Sequence, residues 1–172
     1  MLQLSKIFWD ICRLRSGPQE LPARFYFLIV IVLAAIIVDS FSSSILIPGL
    51  TGLEITMTIV IYNIVLLAAV YYLLKLVGYV ERGLQTITAI AGSGLFISLV
   101  LMPALLLINT SPQEVKPFGF LILADNIWRL AVNAHIFRHA LSISLPMSMV
   151  ISISYLLFGI LVAEFLLPIN AS

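Results

Sequence analysis

Charge is what this sequence has least of. Only 10% of its 172 residues are Asp, Glu, Lys or Arg, while 62% are apolar. An average globular protein is roughly one-quarter charged. A soluble domain of this length has too large a surface-to-volume ratio to hide so much apolar side chain. The lipid bilayer is the solvent that fits. Cysteine is nearly absent: the lone Cys12 rules out a disulfide framework or a cysteine-built metal cluster within one chain. Nine basic and eight acidic residues balance to +1, so no basic surface points to nucleic acid. A secretory signal pattern is also missing, because Asp10, Arg13 and Arg15 interrupt any early apolar run. No phosphate-cradling glycine loop, nucleophile elbow or soluble-type pair of catalytic carboxylates occurs. No enzyme activity and no cofactor are therefore expected.

What is present is a series of long apolar runs. A helix needs about 20 apolar residues to cross the hydrocarbon layer. Five stretches qualify: Phe25 to Ile47, closed by Pro48-Gly49; Ile55 to Leu74; Leu84 to Ile108, followed by Asn109-Thr110-Ser111-Pro112; Phe118 to Phe137; and Ile143 to Leu167, ended by Pro168. The expected fold is all-α: a five-span membrane domain over residues 25–172 behind a cytoplasmic segment, 1–24. Short loops predict that consecutive spans are antiparallel neighbours. Lys6, Arg13, Arg15, Arg24, Lys75, Arg82 and Arg138 fall on one side of this arrangement, and only Lys116 lies in the opposite loops. The positive-inside rule then places the N-terminus in the cytoplasm and the C-terminus outside. The small-residue set Ala89, Ala91, Gly92, Ser93, Gly94 and Ser98 reads as a close helix-packing face. Pro103 in the same run is a kink site that neighbouring helices can tolerate.

Within the first 24 residues, Leu4, Ile7, Phe8, Ile11 and Leu14 recur at helical spacing. The spacing predicts a short amphipathic helix in the cytoplasmic interface, with Trp9 near the headgroups and a stop at Ser16-Gly17-Pro18. Two roles fit it. It can anchor the first span, or its face of Ile7, Phe8, Trp9, Ile11 and Leu14 can dock a partner protein.

Charges inside spans are expensive, about 2.5–3.5 kcal/mol each at mid-membrane on the insertion scale. The fourth span holds most of them. Asp125, Asn126, Arg129 and Asn133 fall within an arc of roughly 100°. Asp125 and Arg129 are spaced i, i+4 and can pair on one helix. Counting helix rise from the outer boundary sets Asp39 of the first span and Asn63 of the second at a similar depth. These residues are expected to form one buried polar network centred on Arg129, with Asp39 and Asp125 as counter-ions. Two acids against one base leave an excess negative charge, which a proton or a cation would balance. The network is either interhelical glue or an ion relay or polar substrate site. His135 and His139 also stand at i, i+4, but the acid of a zinc-binding helix is missing and no third ligand is evident.

One resemblance follows from these residues. A short aromatic N-terminal helix leads into Arg13-Leu14-Arg15-Ser16-Gly17-Pro18-Gln19-Glu20-Leu21-Pro22. Five spans follow, and the fourth reads Asn126-Ile127-Trp128-Arg129-Leu130-Ala131-Val132, then His135-Ile136-Phe137-Arg138-His139-Ala140-Leu141. In layout this resembles the small bacterial inner-membrane proteins grouped with the Yip family. The eukaryotic branch is associated with vesicle traffic and small GTPases, but its acidic and aromatic pre-membrane motif is missing here, so that partner class is not implied. The resemblance implies a bacterial inner-membrane location and carries no catalytic residue. The expected function is a non-enzymatic scaffold or accessory subunit of an envelope assembly, with the bilayer and a membrane-protein partner or a second copy as its contacts. The alternative is a small oligomeric transporter or channel that uses the buried Asp/Arg network.

Overall fold

The computed structural model describes residues 2–46, 50–109 and 115–166. Among them are six α-helices and no strand: α1 (Leu2–Cys12), α2 (Phe25–Leu46), α3 (Gly52–Val77), α4 (Gly83–Asn109), α5 (Val115–Leu141) and α6 (Leu145–Leu166). Single 3-10 turns at Pro18–Glu20 and Val80–Arg82 precede α2 and α4. Four helices are long and apolar enough to cross a membrane: α2, α3, α4 with its preceding turn, and α6. α5 matches α4 in length, at 27 residues, but Asp125, Asn126, Arg129, Asn133 and His135 dilute its apolar character. The expected stops at Pro48-Gly49, Thr110-Ser111-Pro112 and Pro168 lie outside the described residues.

Local chemistry sets the helix ends. Thr51 and Glu54 form a reciprocal capping box that starts α3 three residues ahead of the expected Ile55. Three helix C-termini close in the same way, with a left-handed residue and a backbone bond spanning six residues. At α3 that residue is Gly78 (φ 89°), and Tyr79 N–H donates to Leu74 O. At α5 it is Ser142 (φ 56°), with Ile143 N–H on Arg138 O. At α1 it is Leu14 (φ 61°), with Arg15 N–H on Asp10 O. The first helix therefore ends before Ser16-Gly17-Pro18. Leu14, not Gly17, makes the cap, and Gly17 keeps extended backbone (φ −98°). Arg82 adds a further cap to α5: its Nη1 donates to Ala140 O at 3.1 Å and Ser142 Oγ at 2.8 Å.

The ends of α1, α3 and α5 and the starts of α2, α4 and α6 share one end of the bundle. Arg13, Arg15, Arg24, Lys75, Arg82 and Arg138 lie there, so it is called the basic end below. α2, α3, α6, α5 and α4 close into a ring, and α4 also touches α3 across it. The apolar core fills the basic half, where Val70, Leu74, Ile87, Ile90, Val132, Ile136 and Phe137 are buried. The outward faces carry Ile37, Ile64, Leu107, Leu161 and Phe165, all exposed, as lipid-facing positions require.

α1 does not lie across the end of the bundle. It runs alongside α4, with additional contacts to α5. Phe8 is buried over Gly92, whose missing Cβ would overlap the ring. Trp9 meets Phe96 at 5.6 Å between ring centroids, and Phe8 stacks on Phe27 of α2. Phe96 is about 20 Å along α4 from Gly83, given the helical rise. Trp9 thus sits beside the middle of α4. Periodicity alone reads the same for a helix lying on lipid and for one lying in a protein groove.

Candidate functional site

The polar residues Asp125, Asn126, Arg129 and Asn133 of α5 line spaces between α5 and its neighbours in the ring. Asp125 and Arg129 pair on successive turns. Arg129 Nε donates to both carboxylate oxygens of Asp125, at 2.8 and 3.0 Å. Arg129 Nη2 donates to Ser98 Oγ of α4 at 2.8 Å, and Ser98 Oγ donates in turn to Asp39 Oδ1 of α2 at 3.1 Å. The hydroxyl accepts from the cation and donates to the acid, so Arg129 reaches Asp39 through one relay. Gly94 makes room for this guanidinium: a Cβ there would sit 3.3 Å from Arg129 Nη1.

The network is not close-packed. On the side away from the basic end, a cleft of about 360 Å³ opens between all five long helices. Asp39, Ser42, Ser43, Tyr62, Ser98, Asp125, Asn126 and Arg129 supply its polar lining, and leucine, isoleucine and methionine supply the rest. On the other side lies a smaller chamber of about 140 Å³. Its polar lining is Tyr62, Asn63, Ser93, Asn133 and Tyr155. Asp39, Tyr62 and Arg129 line both spaces. Toward the basic end the chamber meets Leu66, Ile90 and Val132, and beyond them the buried core. Both spaces are large enough for several water molecules. The side chains of Arg129 and Asp125 are 32% and 27% exposed, into the cleft.

The six residues expected to form one network thus divide by position. Asp39, Asp125 and Arg129 are joined by hydrogen bonds. Asn126 lines the cleft, yet its amide donates to Ile122 O of its own helix. Asn63 lines the chamber and donates to Ile59 O in the same way. Asn133 lines the chamber. The sequence reading missed three contributors. Ser98 was placed in the small-residue packing face, although it stands at the depth of Asp39. Tyr62 and Tyr155 lie within apolar runs and carry no spacing signal of their own. The small-residue stripe itself serves two neighbours: Gly92 admits Phe8, and two residues on, Gly94 admits Arg129.

The face expected to dock a partner is mostly occupied within the chain. Phe8 and Ile11 are buried, Ile7 packs against the same core, and Trp9 and Leu14 remain exposed. Cys12 O accepts from Trp128 Nε1 at 2.9 Å, and the Cys12 thiol points at Ser93 O. Burial pushes that thiol up to about 12, against a smaller opposing pull from Arg129. His135 and His139 stack edge to face at 4.5 Å, and His135 Nε2 lies 3.1 Å from Ser16 O, which assigns His135 to holding the linker after α1. Gln85 Nε2 holds that linker as well, donating to Leu21 O at 2.8 Å. No group of three or more metal-ligating side chains occurs among the described residues. Compared with family models, with curated proteins and with solved structures, the chain finds no match in any of the three.

Proposed function

We propose that the protein is a small, non-enzymatic transporter of the bacterial inner membrane. It spans the bilayer five times, with its basic end in the cytoplasm as the positive-inside rule requires. The observation that carries this reading is the pair of spaces meeting at Arg129. Glue between helices needs contact, not volume, and interhelical polar contacts work by close approach of backbones. Here the charged residues border a cleft and a chamber instead. The cleft opens away from the basic end, and apolar core closes the other side, which is the arrangement of an outward-facing state. Sites of this kind sit between helices near mid-membrane, and about 360 Å³ falls in the size range of small-molecule pockets. Kinship with the bacterial Yip-like proteins rests on the residue pattern alone and fits this placement. The accessory-subunit reading loses support because its docking face, Phe8 and Ile11 above all, is spent within the chain.

The test is solid-supported-membrane electrophysiology on purified protein in liposomes. Jumps in proton, sodium and acetate concentration are applied in turn. A charge displacement is expected for at least one, reduced at least tenfold in Arg129→Gln and also in Ser98→Ala, which keeps every charge. If the wild-type protein gives no displacement with any of the three and co-purifies one-to-one with another membrane protein, the transporter reading fails.

A further inference from the structure

The site holds two carboxyl groups and one cation, and it treats the two carboxyls differently. Asp125 has both oxygens on Arg129 Nε, and the two residues share a helix, so their spacing is fixed. Asp39 takes one hydrogen bond, from Ser98, and meets the cation only through that hydroxyl. Its second oxygen has no protein donor among the described residues, and Asp39 borders the open cleft. The groups facing it can be named by element. α3 contributes Tyr62, α4 the uncharged Ser98, and α5 Arg129 and Asp125; Tyr155 of α6 stands farther along the chamber. Arg129 is therefore the one cation facing Asp39 among the described residues, and Asp125 already holds it. Two carboxyls against one cation leave one negative charge over, and a proton on one of them balances the site.

We propose that Asp39 is a proton-binding site loaded from the outer cleft, and that its proton controls Arg129. The inference rests on the transport reading and names the coupling ion. With a proton on Asp39, the site holds one carboxylate and one guanidinium, and Arg129 stays with Asp125. When that proton leaves to water, Asp39 becomes a second carboxylate and competes for the cation through Ser98. The guanidinium is then drawn from Asp125 toward α2. Since Arg129 divides cleft from chamber, this shift changes what separates the two spaces. Nothing is oxidised or reduced; one O–H bond is broken and re-formed with water.

Dicyclohexylcarbodiimide tests this without any flux assay. It adds to protonated carboxyl groups in apolar surroundings and leaves a stable adduct that mass spectrometry places on a residue. Wild-type protein in nanodiscs is expected to label at Asp39 and not at Asp125, with a rate that falls about tenfold per pH unit above the midpoint of one titrating proton. In Asp125→Asn, Asp39 is left as the sole counter-ion of Arg129, becomes ionised, and labels at least tenfold more slowly at pH 6. In Asp39→Asn, no label moves to Asp125. Labelling of Asp125 in the wild type, no label on Asp39 between pH 5 and 8, or unchanged Asp39 labelling in Asp125→Asn would each overturn the proposal. These outcomes are separable from the transport reading: labelled Asp39 in a protein that moves no charge sinks that reading alone, and charge movement with an unlabelled Asp39 sinks this one alone.

Discussion

Removing Arg129 should unbalance the site more than removing either acid. Asp39→Asn leaves the Asp125–Arg129 pair intact. Asp125→Asn leaves Arg129 joined to Asp39 through Ser98. Arg129→Gln leaves two carboxyls and no cation. Breaking one side of a buried pair costs about 3–5 kcal/mol. This pair is about one-third exposed to the cleft, so solvent screens part of it, and about 2–3 kcal/mol is expected for Arg129→Gln. Asp125→Asn should cost about 1 kcal/mol and Asp39→Asn less, since each keeps one acid against one base. At about 2–4 °C per kcal/mol for a chain of this size, Arg129→Gln should melt roughly 5–10 °C lower. Trp9 and Trp128 provide the intrinsic fluorescence for melting in nanodiscs. Melting of Arg129→Gln at the temperature of Asp125→Asn would refute this account of the charge balance.

Leu14→Gly should stabilise the protein by about 1 kcal/mol, read as a rise in melting temperature, because Leu14 occupies a left-handed cap that glycine adopts freely and its side chain is 46% exposed. Gly92→Ala should destabilise by about 1–3 kcal/mol, since the new methyl overlaps the buried Phe8 ring; the double variant with Phe8→Ala should lose less than the sum of the two single losses in the same melt. Cys12 should resist maleimide at pH 7 to 8 in the folded protein and react fully in denaturant, because its thiol releases a proton only near pH 12 and is buried.

The apolar runs were legible because their cause is local in the sequence. The Thr51–Glu54 box and the Gly78 cap are equally local, but counting apolar residues from Ile55 to Leu74 passes over both. The polar arc of α5 was legible for the same reason, since a helix converts spacing into angle without outside help. Depth counting extended this to Asp39, because antiparallel helices of equal rise put equal counts at equal heights. What stayed hidden depended on which neighbour each face meets. Ser98 and Gly94 look like any other small residues until α2 and α5 are placed on either side of α4. The apolar face of α1 fits lipid, a partner or its own bundle equally well in sequence, and Phe8 over Gly92 decides it only in three dimensions. Leu14 as a cap was invisible for a different reason: a left-handed leucine runs against local preference, and the backbone bonds around it fix the turn.

The cost of the charges is itself an argument about what they do. In the proposed five-span arrangement, Asp39, Asp125 and Arg129 each carry an insertion cost of about 2.5–3.5 kcal/mol at mid-membrane. Interhelical hydrogen bonds in membranes return only about 0.6 kcal/mol on average. The hydrogen bonds from Arg129 to Asp125 and Ser98, and from Ser98 to Asp39, therefore recover a fraction of that cost as adhesion. Leucine at the same three positions would fill the cleft, remove the charges and join the helices by packing alone. The bundle has no shortage of such packing in its basic half, where Val70, Leu74, Val132, Ile136 and Phe137 are buried with almost no exposed surface. Adhesion therefore accounts neither for the choice of side chains nor for the space left beside them. A site that binds and releases a charged species needs both.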